Sequence, residues 1–74
     1  MKINIISLNN GHSLSKDCEM ICYSLKKYYK KKKLFFNYFN FQETSGQLAD
    51  VNIFVGVVSN FFFKYSQINI FVVD

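Results

Sequence analysis

Few side chains in this sequence have chemistry of their own, and most are confined to one short loop and the helix after it. Cys18 and Cys22 stand four residues apart, and His12 is the only histidine. A structural zinc site wants CxxC spacing and further ligands, so the two thiols are expected as buried core groups. The loop Asn9-Asn10-Gly11-His12-Ser13 is rich in small polar residues and follows a short apolar run. Gly11 permits a tight turn or the close approach of a ligand to the backbone. One glycine there does not make the GxGxxG dinucleotide fingerprint, and the GxxxxGK[ST] phosphate loop is absent.

The elements that must position this loop are legible in the apolar pattern. Residues 2–8 (KINIISL) form a β-branched run of the kind covered on both faces in a parallel sheet. A helix is expected from about Leu14 to Lys31, because Leu14, Cys18, Ile21, Cys22, Leu25 and Tyr28 recur on one stripe. Ser13 or Ser15 can cap it; Asp17 and Glu19 suit its positive end, and Lys26, Lys27 and Lys30 to Lys33 its negative end. Residues 34–41 (LFFNYFNF) read as an aromatic second strand, 42–50 as a connection, and 51–57 (VNIFVGV) as a third strand. Residues 59–67 suit a short helix with Phe62, Tyr65 and Phe61 inward, and 68–73 (INIFVV) a fourth strand. About ten residues precede that strand, with no Gly, Pro or Asn-Gly pair, which disfavours a hairpin and favours a parallel crossover.

The fold class expected is α/β: a partial Rossmann-like three-layer sheet, mostly parallel, in strand order 2-1-3-4. No repeat, low-complexity linker or second domain is expected within residues 1–74, which read as one incomplete domain. In such sheets ligands bind outside the carboxyl ends of the strands, where the strand order reverses. That places Asn9, Asn10, Gly11, His12 and Ser13 beside Gly56 and Ser59. Amides at the start of the long helix point to the same crevice and suit an anionic or hydroxyl group.

Composition limits the alternatives. Half of the 74 residues are apolar and 19% are aromatic, more than so short a chain readily buries. The excess implies an unfinished sheet, with a missing carboxy-terminal domain or another chain to complete it. The fourth strand in particular would form a bare apolar edge. Residues 51–73 have the length of a membrane span but carry Asn52, Ser59, Asn60, Lys64, Ser66, Gln67 and Asn69, too polar for hydrocarbon. The amino terminus lacks a signal-peptide core, so a cytoplasmic protein is expected. The net charge is +4, carried by lysine alone. Without arginine, the bidentate grip on phosphate or guanine is missing, and nucleic-acid binding is not expected. The Lys30–Lys33 run beside Tyr28, Tyr29 and Phe35 could rest on an anionic membrane surface at about 1 kcal/mol per charge, or form a solvated helix end.

Taken together, KINIISLNNGHSLSKD, the amphipathic helix, Ala49-Asp50-Val51-Asn52-Ile53-Phe54 and the closing INIFVVD resemble the amino-terminal portion of GT-B-type glycosyltransferases of the divergent viral and microbial kind. The resemblance covers most of the chain, on short motifs. It implies the acceptor-side domain of an enzyme that transfers sugar from a nucleotide-sugar donor to an acceptor hydroxyl. The donor would be held chiefly by a second domain, and this segment alone would be inactive and hold no cofactor. Gly11-His12 is similar to a Gly-His in one branch of that superfamily, which implies His12 as general base on the acceptor hydroxyl. A near-neutral imidazole suits that role. The usual downstream proline is missing, and no carboxylate partner for the imidazole is evident beyond the candidate Asp17. Two other readings stand beside this one: a small flavodoxin-like binding module working through its open edge, and a truncated relic. A receiver-like module would need an acidic cluster after the first strand, which Leu8-Asn9-Asn10 lacks.

Overall fold

The computed structural model describes residues 1–8 and 16–72. Strand β1 (Lys2–Ser7) is followed by helix α1 (Lys16–Tyr28), strands β2 (Phe35–Asn40) and β3 (Val51–Val55), a 3-10 helix (Asn60–Tyr65) and strand β4 (Asn69–Val72). The strands form one sheet in the order β2-β1-β3-β4, and every pair is parallel. The α/β architecture and strand order expected from the sequence are therefore present, and the short link before β4 is a parallel crossover rather than a hairpin. β1 is central, and four of its apolar or polar neighbours, Ile3 to Ile6, are buried from both sides.

Alternation along the strands sends side chains to two unlike faces. One face carries Ile3, Ile5, Ile53 and Val55, which pack with Cys18 and Cys22 of α1. Ile21, Leu25, Leu34, Phe36 and Val72 close around them, so the helix stripe and the two thiols lie where the spacing predicts. Tyr28 departs from that stripe: it is 80% exposed, because α1 ends there and its ring has passed the sheet margin. Tyr29 N makes a last helical bond to Leu25 O (2.9 Å), and Lys32 N turns back to Tyr29 O (3.2 Å). The helix thus stops before Lys31. The chain is drawn into β2 by the amino-terminal ammonium of Met1, which donates to Lys33 O at 2.7 Å.

Among the described residues, no α-helix covers the opposite face. Ile6 and Phe54 are covered there by Phe62, the one fully buried side chain of the 3-10 helix, with Phe39, Phe41, Phe61 and Tyr65 around it. The connection 41–50 crosses the same face and comes so close to the 3-10 helix that a Cβ on Gly46 would meet the Tyr65 ring at 2.6 Å. Phe63 points outward, 37% exposed, and is not among the residues Phe61, Phe62 and Tyr65 expected to turn inward. Phe35 is 56% exposed rather than core, because it begins an edge strand beyond the reach of either cover.

Polar groups on this second face are organised as a row. Asn37, Asn4, Asn52 and Asn69 occupy one register level across all four strands. Asn4 donates from Nδ2 to Gln47 O (2.7 Å) and Asn52 Oδ1 (3.0 Å). Asn52 donates to Phe62 O (2.7 Å) and Asn69 Oδ1 (2.9 Å), and Asn69 to Ser66 O (3.3 Å). The row therefore ties the connection, the 3-10 helix and the approach to β4 onto the sheet. Asn4 and Asn52 are completely buried, which their hydrogen bonds make tolerable, although Asn4 Oδ1 has no partner.

Candidate functional site at the carboxyl edge

The chain leaves β1 toward α1 on one face, and leaves β3 toward the 3-10 helix on the other. The reversal lies between β1 and β3, which are direct neighbours. Ser7 is paired with Val55, so Leu8 and Gly56 follow at the same level where these strands end. Gly56 has φ 71°, a left-handed conformation that other residues adopt at a cost, and its N–H donates to Val72 O at 2.9 Å. This backbone turn ends β3 two residues before the apolar pattern does, and directs residues 57–59 across the edge.

On the other side of β1, Phe41 N donates to Ser7 O at 2.9 Å, and Asn40 reaches Leu8 O from Nδ2 at 3.4 Å. Gln42 N and Asn40 N are taken up by Asn40 Oδ1 (3.0 Å) and Glu43 Oε1 (3.3 Å), which turns the chain away from the edge. Leu8 and Val58 remain 57% and 60% exposed, so the described rim is largely apolar. Ser59 precedes the 3-10 helix in an extended conformation and makes no capping bond with its side chain. Its carbonyl accepts from Phe62 N at 3.2 Å.

Of the expected site residues, Gly56 is thus placed beside the end of β1, and Ser59 three residues further on. Asn9, Asn10, Gly11, His12 and Ser13 lie outside the described residues. Among the described residues no group of three His, Cys, Asp or Glu is arranged to hold a metal ion. Leu8 and Val58 are not recognisable as rim residues from the sequence, because apolar positions at strand ends look like core until the layers are known.

Charge is distributed unevenly between the two ends of the sheet. α1 returns the chain from the carboxyl edge to the amino edge, so Lys26, Lys27 and Lys30 to Lys33 gather at the far end from Gly56. A shallow cleft of about 390 Å³ runs among residues 27–32. Lys27 lies over the Tyr23 ring at 5.4 Å and Lys32 over Tyr29 at 5.5 Å. A second open cleft, about 490 Å³, lies at the amino ends of the strands between Met1, Lys2, Phe35, Leu48, Ala49 and Asp50. Asp50 there accepts the Lys2 N–H on Oδ2 at 2.7 Å. Topology places the ligand side of the sheet at the opposite edge.

The cysteines belong to the core. Both are buried, and neither forms a disulfide. Cys22 Sγ and Tyr38 Oη lie 3.3 Å apart between α1 and β2. Burial raises the Cys22 thiol above its ordinary value; it raises the Tyr38 phenol as well, with the Cys22 contact adding to the effect. Both groups are held neutral and protonated, the opposite of what a reactive thiolate requires.

Compared with known protein families, curated sequences and solved structures, the chain shows no significant match. Among the described residues no helix is long and apolar enough to cross a membrane.

Proposed function

We propose that this chain is the acceptor-side sheet of a GT-B-type glycosyltransferase, inactive alone and completed by a donor-binding domain that holds the nucleotide-sugar. One observation carries the reading. A parallel 2-1-3-4 sheet reverses between β1 and β3, where a left-handed glycine follows β3 beside the end of β1. The sequence resemblance supplies the reaction class; the topology supplies the place where an acceptor would lie. A rim bearing exposed Leu8 and Val58 suits an acceptor with an apolar portion, its hydroxyl turned toward His12. Asn9, Asn10, Gly11, Ser13, Gly56 and Ser59 would supply its polar contacts.

The basic amino edge fits the same reading. Six lysines between 26 and 33 stand with exposed Tyr23 and Tyr28, and a surface of this kind is attracted to anionic lipid. The enzyme would work at the cytoplasmic face of a membrane without spanning it. As a binding module instead, the chain would work through β4, whose Ile70 and Phe71 are 46% and 50% exposed.

Sugar transfer by the protein joined to its donor domain tests the proposal. His12→Ala should lower the rate at least about tenfold, with little change in KM for the donor. Unchanged transfer by the variant would remove the general-base role; absence of any transfer with nucleotide-sugars would remove the reaction class.

A further inference from the structure

The tetrapeptide Asn-Ile-Phe-Val occurs twice, at 52–55 and again at 69–72. Four residues define no structural unit, so on the sequence alone this is not a repeat. The fold gives it meaning. β3 and β4 pair parallel with each residue opposite its twin: Asn52 with Asn69, Ile53 with Ile70, Phe54 with Phe71, Val55 with Val72. The asparagines are hydrogen-bonded amide to amide at 2.9 Å, and the phenylalanine rings stack at 5.2 Å with their planes 17° apart. Identical strands in parallel register, with an asparagine ladder and stacked aromatic rings, form the repeating contact of cross-β assemblies.

β4 presents this pattern a second time on its outer side. Ile70 and Phe71 are half exposed, and no charge, proline or glycine interrupts residues 67–72. Edge strands are ordinarily protected by such features. The opposite edge, β2, is approached through the run Lys30 to Lys33 and has no twin in the sequence. The two edges are therefore unequal, and only one matches a strand the chain is already known to pair with.

We propose that the outer edge of β4 is a self-recognition surface that takes the Asn-Ile-Phe-Val strand of a second copy of this chain, parallel and in register. The incoming strand repeats what β4 does on β3: Asn on Asn69, Ile on Ile70, Phe on Phe71. In a folded second copy the inner side of β4 is occupied by β3, so that strand must first detach from its own sheet. Among the described residues it is an outermost strand, held by a single neighbour, and is the one suited to leave. Each addition exposes a new edge of the same sequence, and the assembly is open-ended rather than a closed dimer. The inference stands independently of the reaction assigned to the carboxyl edge.

A peptide spanning Gln67 to Val72 serves as the detached strand. Titrated into the isotope-labelled chain, it should shift the amide signals of residues 69–72. A spin label at its amino end should broaden Asn69 more than Val72, which reports the parallel sense. Replacing Asn69 or Phe71 by Lys in the peptide should weaken binding at least tenfold. In the whole chain, Phe71→Lys should abolish concentration-dependent association in sedimentation velocity, and Ile70→Lys serves as the second variant should the first fail to fold. Equal binding by a scrambled peptide, shifts confined to β2, or a parent chain that stays monomeric at high concentration would each overturn the proposal.

Discussion

Removing the Phe62 ring should come close to unfolding this protein. Phe62 is fully buried and is the only such side chain in the 3-10 helix, and it is the centre of the cover over Ile6 and Phe54 on that face of the sheet. Its ring lies 5.3 Å from Phe39, 5.2 Å from Phe61 and 6.2 Å from Tyr65. Truncation of a buried phenylalanine to alanine costs about 3–5 kcal/mol, through lost transfer energy and the cavity left behind. A domain of this length has a total stability of about 4–11 kcal/mol at the usual 0.05–0.15 kcal/mol per residue. Phe62→Ala therefore removes about a quarter of the stability at least, and all of it at the other limit. With a urea dependence of about 1 kcal/mol/M for a small protein, the midpoint should fall by about 3 M or more. Phe63 is the internal control. It is one residue away and 37% exposed, and it touches Phe54 and Phe71 edge-on. Its truncation should cost no more than about 1.5 kcal/mol, the scale of an aromatic pair contact. Urea unfolding of the two variants, followed by circular dichroism, makes the comparison. Equal losses, or a Phe62→Ala loss below about 1 kcal/mol, would refute the claim that one ring supports that face.

Three further outcomes follow from particular contacts. Gly56→Ala should cost about 1–2 kcal/mol, the cost of placing a Cβ residue in the left-handed region, and Gly56→Asn noticeably less; thermal melts would show the order. Gly46→Ala should cost about 1–3 kcal/mol, because its methyl displaces the Tyr65 ring and loosens the connection over the second face, visible as shifted Tyr65 ring signals by NMR. Stability should fall at alkaline pH. The folded state raises the Cys22 and Tyr38 values above those of the open chain, near 9 and 10, so folding holds these protons more tightly than the unfolded state does. Their contribution is complete below about pH 9 and is lost as pH rises past the unfolded values. Urea midpoints from pH 7 to 11 should show that decline, and Tyr38→Phe should flatten its upper part. A midpoint rising with pH in that range would contradict the assignment.

How far the sequence discloses this structure depends on which interactions are local. The β-branched runs and the 3.6-residue stripe through Cys18, Ile21, Cys22 and Leu25 identify the elements. The absence of turn chemistry before β4 settles the parallel crossover, and with it the strand order. The end of α1 was less legible: the apolar stripe runs on to Tyr28 and the lysines favour a helix terminus, yet the need to reach β2 stops the helix at residue 28. β3 reads as seven residues but stops at five, because Gly56 takes a positive φ that its sequence context does not require. The asparagine row was invisible for a different reason. Within each strand a lone Asn reads as an ordinary polar break, and only the registers of three strand pairs bring the four together. The candidate site was legible to the extent that topology defines it. Gly56 stands beside the end of β1, while Asn9 to Ser13 lie outside the described residues, and the exposed apolar pair Leu8 and Val58 emerges only from the layers.

Chemical-shift mapping of the isotope-labelled chain with two ligand types tests the central claim most directly. Alkyl glycosides should shift Leu8, Gly56 and Ser59 at the carboxyl edge, while a nucleoside diphosphate sugar at the same concentration should shift none of them. Glycoside shifts gathered instead around Met1, Lys2 and Asp50 at the amino edge, or nucleotide-sugar shifts at Gly56, would contradict an acceptor-side site between β1 and β3.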